Sequence, residues 1–381
     1  MAMCKARFRV TLGAVTSSPS LRRGWTTGAC ATAAARAAFS ALHTGHFPDP
    51  VEIALPGGAR PLFALADHRI MTETPDGIAA MAGVIKDAGD DPDVTHGAMI
   101  RATVRSLPDK AGLVFRAGAG VGTITRPGLP LPPGEPAINP VPRQMMAQAI
   151  TEEAARLGCA PSASIEISID HGSELAERTL NGRLGIVGGL SVLGTTGIVV
   201  PFSCSAWIDS IHRGIDVARA SGLRHIAGST GHASEQAVKK LHALPDTALI
   251  EMGDFVGGML KYLRRHPLPR LSIAGGIAKI TKLAQGRLDL HSRRGHVDME
   301  ALGNLVSTMG GSPALAAQLA AANTTPEAFA IAAREGFPLG DTMACRAWET
   351  AARQLQGTGI MLDVLIFSRD GQLMGCHEQE S

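Results

Sequence analysis

Hydrophobic and polar positions change rhythm along this chain. In the first half, VEIAL from Val51, GVIKDA from Gly83, AMIRATVRS from Ala98 and GLVFRAGAG from Gly112 alternate or run apolar as strands do. Residues 28–43 and 141–157 have helical spacing instead. The prolines of RPGLPLPPGEPAINPVP, from Arg126, forbid helix and most sheet, so this stretch reads as an extended loop ending where Pro142 opens a helix. In the second half, IEISID, RLGIVGG, HIAGSTG, ALIEMGD and RLSIAGG are short apolar runs followed by glycine turns, and residues 204–221, 232–242 and 254–265 read as helices between them. Strand, glycine turn and helix in repetition predict a doubly wound parallel sheet, which binds ligands outside the carboxyl ends of its strands.

The predicted fold class is α/β. Residues 1–20 are expected to form a flexible tail, 21–158 an α+β domain and 159–381 a Rossmann-like α/β domain, with the boundary near Gly158. A length of 381 residues agrees with two domains. Leu184 to Ile208 carries no charge and is long enough to span a bilayer, but five internal glycines and Pro201 mark it as buried strands around a glycine loop. The six cysteines include no C-x-x-C pair, and no apolar run follows the basic opening residues, so a reducing, cytoplasmic location is expected.

A net charge of +2 is too balanced for a general nucleic-acid binder. The 28 arginines against 8 lysines are more informative, because a guanidinium grips carboxylates and phosphates with two parallel hydrogen bonds. Codon bias would give the same excess.

RRGWTTGACATAAARAA, from Arg22, places two arginines before a helix start. Thr26 or Thr27 is the expected N-cap, and Arg22, Arg23 and the amides near Gly28 form a candidate anion site. KDAGDDPDVTHG, from Lys86, crowds Asp87, Asp90, Asp91 and Asp93 beside a lysine, which fits a tuned base or an Asx-rich turn better than a calcium loop. GAGVGT, from Gly118, resembles a phosphate loop without the G-K-[ST] ending. Arg126 and Arg143 flank the proline loop and are candidates for an acidic ligand. GGLSVLGTTG places Gly188, Gly189, Gly194, Thr195, Thr196 and Gly197 where bare amides and hydroxyls suit a ribose and a carboxylate, although it is not the dinucleotide fingerprint. Isolated histidines such as His291 and His296 are more often structural, and no metal site is assigned.

In order along residues 21 to about 300, these motifs together with GSTGHASEQA, EMGDFVGGML and GGIAKITKLAQGRLDLHS resemble the CbiD family, the cobalt-precorrin-5B (C1)-methyltransferases of anaerobic cobalamin synthesis. Trp25 stands where tyrosine is expected and His96 where asparagine is common. The resemblance implies that S-adenosylmethionine methylates carbon 1 of a tetrapyrrole macrocycle, giving cobalt-precorrin-6A, with cobalt present only as part of the substrate. On that basis Arg22, Arg23, Thr26, Thr27 and Gly28, with Arg126 and Arg143, are expected to hold macrocycle carboxylates. Gly188 to Gly197, Gly228, Gly253 and Asp254 are expected to hold the methyl donor, and Asp87 or Asp90 beside Lys86 to adjust the ring's protonation. The expected partner is a small-molecule tetrapyrrole, with no nucleic acid and no membrane, and self-association is left open. An ATP-dependent small-molecule kinase and a non-enzymatic tetrapyrrole carrier are the rival readings.

Overall fold

A computed structural model describes residues 21–72, 77–292 and 295–378; the expected tail over 1–20 lies outside them. The first body opens with β1 (Gly24–Trp25) and α1 (Thr27–Thr44). Strands β2 (Val51–Glu52), β3 (Leu62–Phe63), β4 (Asp67–Met71), β5 (Ala79–Ile85), β6 (Met99–Ser106), β7 (Leu113–Ala117) and β8 (Thr123–Ile124) follow. Next come α2 (Pro140–Leu157), β9 (Ala163–Ile169), α3 (Gly172–Ala176), β10 (Ile186–Val187) and β11 (Ile198–Val199), after which α4 (Cys204–Ala220) packs into the core of the second body. The second body alternates β12 (His225–Ser229), α5 (His232–His242), β13 (Leu249–Glu251), α6 (Val256–Leu263), β14 (Arg270–Gly276) and α7 (Ile277–Ala284). It closes with α8 (Met299–Thr308), α9 (Pro313–Ala321), α10 (Thr325–Arg334), α11 (Leu339–Gln354), β15 (Met361–Phe367) and β16 (Leu373–Glu378).

The alanine-rich helix is the centre of the first body. From Thr27 to Ala41 every residue of α1 except Arg36 is buried, the pattern of a helix enclosed on all sides. Its small side chains let α2, β5 and β6 all pack against it. Thr26 caps it, Oγ1 accepting from the Ala29 amide at 3.2 Å, and Gly45 ends it at φ 79°, where a side chain would be strained. Beneath lies a sheet of order β4-β5-β6-β9-β7, antiparallel except for the β7–β9 pair.

That order moves the expected boundary. Gly158 is only the C-cap of α2, and the chain returns as β9 between β6 and β7, so IEISID belongs to the first sheet. RLGIVGG yields only β10, paired with β8. Buried strands look alike whichever sheet they join, and pairing partners distant in sequence decide the matter. Leu184 to Ile208 is likewise no run of buried strands: Leu193, Val200, Phe202 and Trp207 in it are exposed. Helix α2 starts at Pro140 after Asn139, slightly ahead of the expected Pro142.

The second sheet has order β13-β12-β14-β15-β16, parallel apart from β16. Gly228 backs onto Met259 of α6, and Gly214 of α4 meets Ile250. His225, of opposite parity to Gly228, meets His242 of α5, so helices cover both faces. No described helix is long and apolar enough to cross a membrane.

Glu153 of α2 is 2% exposed and holds Arg36 of α1 at 3.1 Å and Arg156 at 2.6 Å. Removing the carboxylate leaves the largely covered Arg36 with only Glu52 O at 2.8 Å and the longer contact to Glu152 at 3.6 Å. Glu153→Ala should therefore lower unfolding free energy by about 2 kcal/mol, read from the urea midpoint; an unchanged midpoint would show that α1 and α2 do not depend on this link.

Candidate functional site

Three of the sequence motifs meet at one junction. The Trp25 amide donates to Asp87 O at 2.7 Å, the Asp90 amide to Arg22 O at 3.0 Å, and the Thr26 amide to Gly197 O at 3.0 Å. Strand β1 pairs with β11, Gly24 opposite Val199 and Trp25 opposite Ile198. Gly24 permits the contact: a Cβ there would lie 2.0 Å from Ala88 C.

The acidic loop is spent on this junction. Asp87 forks onto the Arg22 guanidinium, Asp90 Oδ2 accepts from the Arg22 amide at 2.6 Å, and Asp91 Oδ1 accepts from the Phe202 amide at 2.8 Å. Lys86 is 1% exposed and pairs with Asp93, which also accepts from the Thr95 amide at 2.8 Å. The expected catalytic trio therefore needs correction. The Arg22 guanidinium, with the Gly89 amide, holds the Asp87 carboxyl down to about 2, too weak a base for proton transfer near neutrality. Lys86 is enclosed. Asp90 is engaged by its own backbone partner.

The expected anion site is also altered. Arg22 is neutralised by Asp87, the Gly28 amide donates to Leu193 O at 3.0 Å, and the Ala29 amide is capped by Thr26. Thr27 is buried. The loop from Gly188 thus plugs the helix start. Arg23 is the exception, exposed and with no ion pair among the described residues. Arg143 donates to Ile138 O at 2.8 Å and to Glu135 at 2.8 Å, and lies over the Phe115 ring at 5.3 Å; it is a structural brace. Arg126 packs its stem on Gly185 and lines a cavity of about 320 Å³ with Arg183, Glu177 and Asp246. Asp246 and Thr247 precede β13, so this cavity lies away from the carboxyl ends of the second sheet.

The glycine loops divide between the two bodies. Gly189 stacks on the Gly120 backbone and Gly194 on the Thr26 side chain, while Thr196 closes a local turn onto Ile198. Gly188 and Thr195 are exposed on the same body. In GAGVGT the Gly118, Val121 and Gly122 amides are bonded to Ile167, Gly118 and Leu190 carbonyls, which leaves them unavailable to a phosphate. Gly228 is buried in mid-strand against Met259 and Met252. Of the expected donor-binding residues, only Gly253 and Asp254 lie at the carboxyl end of the second sheet.

That end has the features sequence reading missed. The chain leaves β12 for β13 on one side and β14 lies on the other, with α5 and α6 on opposite faces, the switch point whose crevice binds ligands in doubly wound sheets. Ser229 is fully buried there, its Oγ without a hydrogen-bond partner. Helices α5 and α7 start at Gly231 and Gly276 with no side-chain cap. Asp254 pairs with Lys279 of α7 across the opening.

Beside it stands the exposed ring of Trp207. The Trp207 indole donates to Glu251 O at 3.1 Å and lies about 3.4 Å from the Cβ position of Gly253, yet is 43% exposed. Phe202 is 66% exposed, its backbone at φ 56°. A bulky side chain in that region is strained, and such strain gathers at functional sites. Val200 is exposed too, and by the β1–β11 register it stands opposite Arg23. One of only three tryptophans, close to a proline and a helix start, was the available signal.

A mixed five-stranded sheet and a second, largely parallel five-stranded sheet covered by helices on both faces make this an α/β protein. The chain belongs to the CbiD family, matching CbiD over residues 14–201 and the CbiD C-terminal domain over 289–378. It is 61% identical to the cobalt-precorrin-5B C(1)-methyltransferase of a Bradyrhizobium species, covering 93% of each chain. Identity is 58% to the Agrobacterium fabrum protein of the same name, over 94% of each. A crystal structure of the cobalamin biosynthesis protein CbiD from Archaeoglobus fulgidus is 27% identical, with a TM-score of 0.37 over 68% of this chain and 77% of that one.

The Asp87 carboxyl should titrate near 2 in the native protein, and in Arg22→Ala should move back toward its ordinary value of 3.8. Because its folded value is the lower one, the stabilisation it gives is complete above about pH 4 and lost as pH falls toward 2. An NMR titration reads this directly; an unshifted Asp87 in the variant would remove Arg22 as the cause.

Proposed function

We propose that this chain methylates carbon 1 of cobalt-precorrin-5B, with S-adenosylmethionine as donor. The carrying observation is the 61% identity, across 93% of both chains, to a protein of that name. The donor supplies an electrophilic methyl group when bound.

The residues at the strand-end crevice fit such a ligand. Ser229 Oγ lacks a partner although buried, and a buried hydroxyl is costly unless something bonds it. Ser229, Gly231 and Gly276 offer a hydroxyl and uncapped helix starts to hydroxyl and carboxylate groups, and Asp254 can turn a carboxylate oxygen to a diol. Trp207 closes one side over Gly253.

The macrocycle, a flat ring edged with carboxylates, belongs in this reading against Val200, Phe202 and Trp207, with Arg23 at the rim. Phe202 is held in its strained backbone by Asp91, which turns the ring outward instead of into a core. The two sites then adjoin at Trp207. Methyl transfer to a conjugated carbon needs chiefly the two partners held in line at near-attack distance, and that placement supplies most of the rate. No described carboxylate at the junction is assigned as a base. We also read the chain as cytoplasmic, since the five described cysteines are free thiols.

Incubation with cobalt-precorrin-5B and methyl-labelled donor should place one label on the macrocycle by mass spectrometry; an unlabelled macrocycle would overturn the assignment. Phe202→Gly separates binding from folding. Relief of a strain costing about 1–3 kcal/mol offsets the extra chain entropy of glycine, about 0.5–1 kcal/mol, so the melting temperature should hold or rise. Activity per macrocycle concentration, kcat/KM, should fall about tenfold, the equivalent of 1.4 kcal/mol. A lower melting temperature with unchanged kcat/KM would make Phe202 a packing residue. Arg23→Glu should raise the macrocycle KM with kcat little changed, and an unaltered KM would take Arg23 out of the site.

A further inference from the structure

A second polar cluster lies at the amino-terminal end of the parallel sheet, away from the strand-end crevice. His225 opens β12 opposite Arg270, and Ser272 of β14 stands opposite Asp363 of β15. The two-residue period of strands puts all four on one face, the face that α5 covers. His242, the last residue of α5, completes the group, its ring edge-on to that of His225 at 4.9 Å. His225 Nε2 lies 2.8 Å from Ser272 Oγ.

The hydrogen bonding here is incomplete in a specific way. Arg270 donates twice to Asp363 Oδ2, at 3.1 and 2.9 Å, and once to Glu378 at 2.8 Å. Asp363 Oδ1 and His242 Nε2 are both buried and have no hydrogen-bond partner, although the Asp363 side chain is 4% exposed. These two atoms face each other at 3.8 Å, beyond hydrogen-bond length. Ligand atoms of His225, His242 and Asp363 all lie within 4.8 Å of one another. Two imidazoles and a carboxylate around one point are a donor set for a divalent transition ion, and tetrahedral zinc with bonds of about 2.0–2.2 Å needs only modest inward movement of such atoms.

We propose that His225, His242 and Asp363 bind a divalent transition-metal ion, zinc by chemical preference, in a structural site. Arg270 takes one carboxylate oxygen and leaves the other turned inward, the orienting role that outer hydrogen bonds play around metal ligands. Glu378 offsets the arginine's charge. The ion joins β12, the end of α5 and β15, so it pins a strand separated from β14 by five helices, α7 to α11, to the front of the sheet. The cluster's distance from the crevice, about 13 Å along β12, separates this role from methyl transfer.

The test uses the full chain stripped with a chelator and titrated with Zn²⁺ by calorimetry, then with Co²⁺ by visible spectroscopy. One Zn²⁺ per chain should bind and raise the melting temperature. Co²⁺ should give the absorption of a nitrogen and oxygen site without a thiolate charge-transfer band. His242→Gln, at a partly exposed position chosen to preserve folding, should weaken Zn²⁺ at least about tenfold, and Asp363→Asn should do the same if it folds. No saturable binding, undiminished binding in His242→Gln, or a thiolate band from the free cysteines would each overturn the proposal.

Discussion

The close crossing of residues 22–25 over the loop at 87–90 is the constraint on which the first body and the junction depend. The Arg22–Asp87 ion pair is the visible part, but both side chains are about half exposed, and pairs of that kind contribute about 0–1 kcal/mol. The backbone contacts decide more. A Cβ at Gly24 would enter the Ala88 backbone, and one at Gly89 would lie 2.2 Å from Arg22 O. Two chains can meet so closely only where both lack side chains. Once they do, Trp25 and Thr26 are fixed, β11 pairs alongside, and the loop from Leu193 to Gly197 covers the start of α1.

A consequence is that motifs rich in charge and glycine serve construction first. Asp87, Asp90, Asp91 and Asp93 each have a partner within the chain, and the glycines of the Gly118 and Gly188 loops stack on one another. The proposed site draws instead on Arg23, Val200, Phe202, Trp207 and the ends of β12, β13 and β14. The same hydrogen bond that engages Asp91 anchors the backbone of Phe202, so in the proposed site the acidic loop acts through backbone geometry instead of proton transfer.

Local elements were legible in the sequence because their signals are local. The N-cap at Thr26, the stop at Gly45 and the helices from Pro140, Cys204 and His232 follow caps, prolines and spacing. Family membership was legible too, carried by long motifs in fixed order. Sheet membership was not: Ile165 in β9 pairs with Val104 and Phe115, and nothing in IEISID itself distinguishes those partners from others. The C-terminal strands β15 and β16 complete the second sheet from a region whose helices gave no glycine-turn rhythm. For the site, charge type was readable but partnership was not, since Arg22 meets Asp87 only after folding. Ser229, Trp207 and Asp363 became informative only with burial and exposure known.

The proposed donor site lies at the carboxyl ends of the second sheet and not on the glycine loop of the first body. Hydrogen exchange monitored by mass spectrometry, with and without S-adenosylhomocysteine, addresses it most directly. Binding at the strand ends should add protection around Ser229 to His232, Met252 to Asp254 and Gly275 to Lys279. Protection confined to Gly188 to Gly197, with the strand ends unchanged, would contradict it.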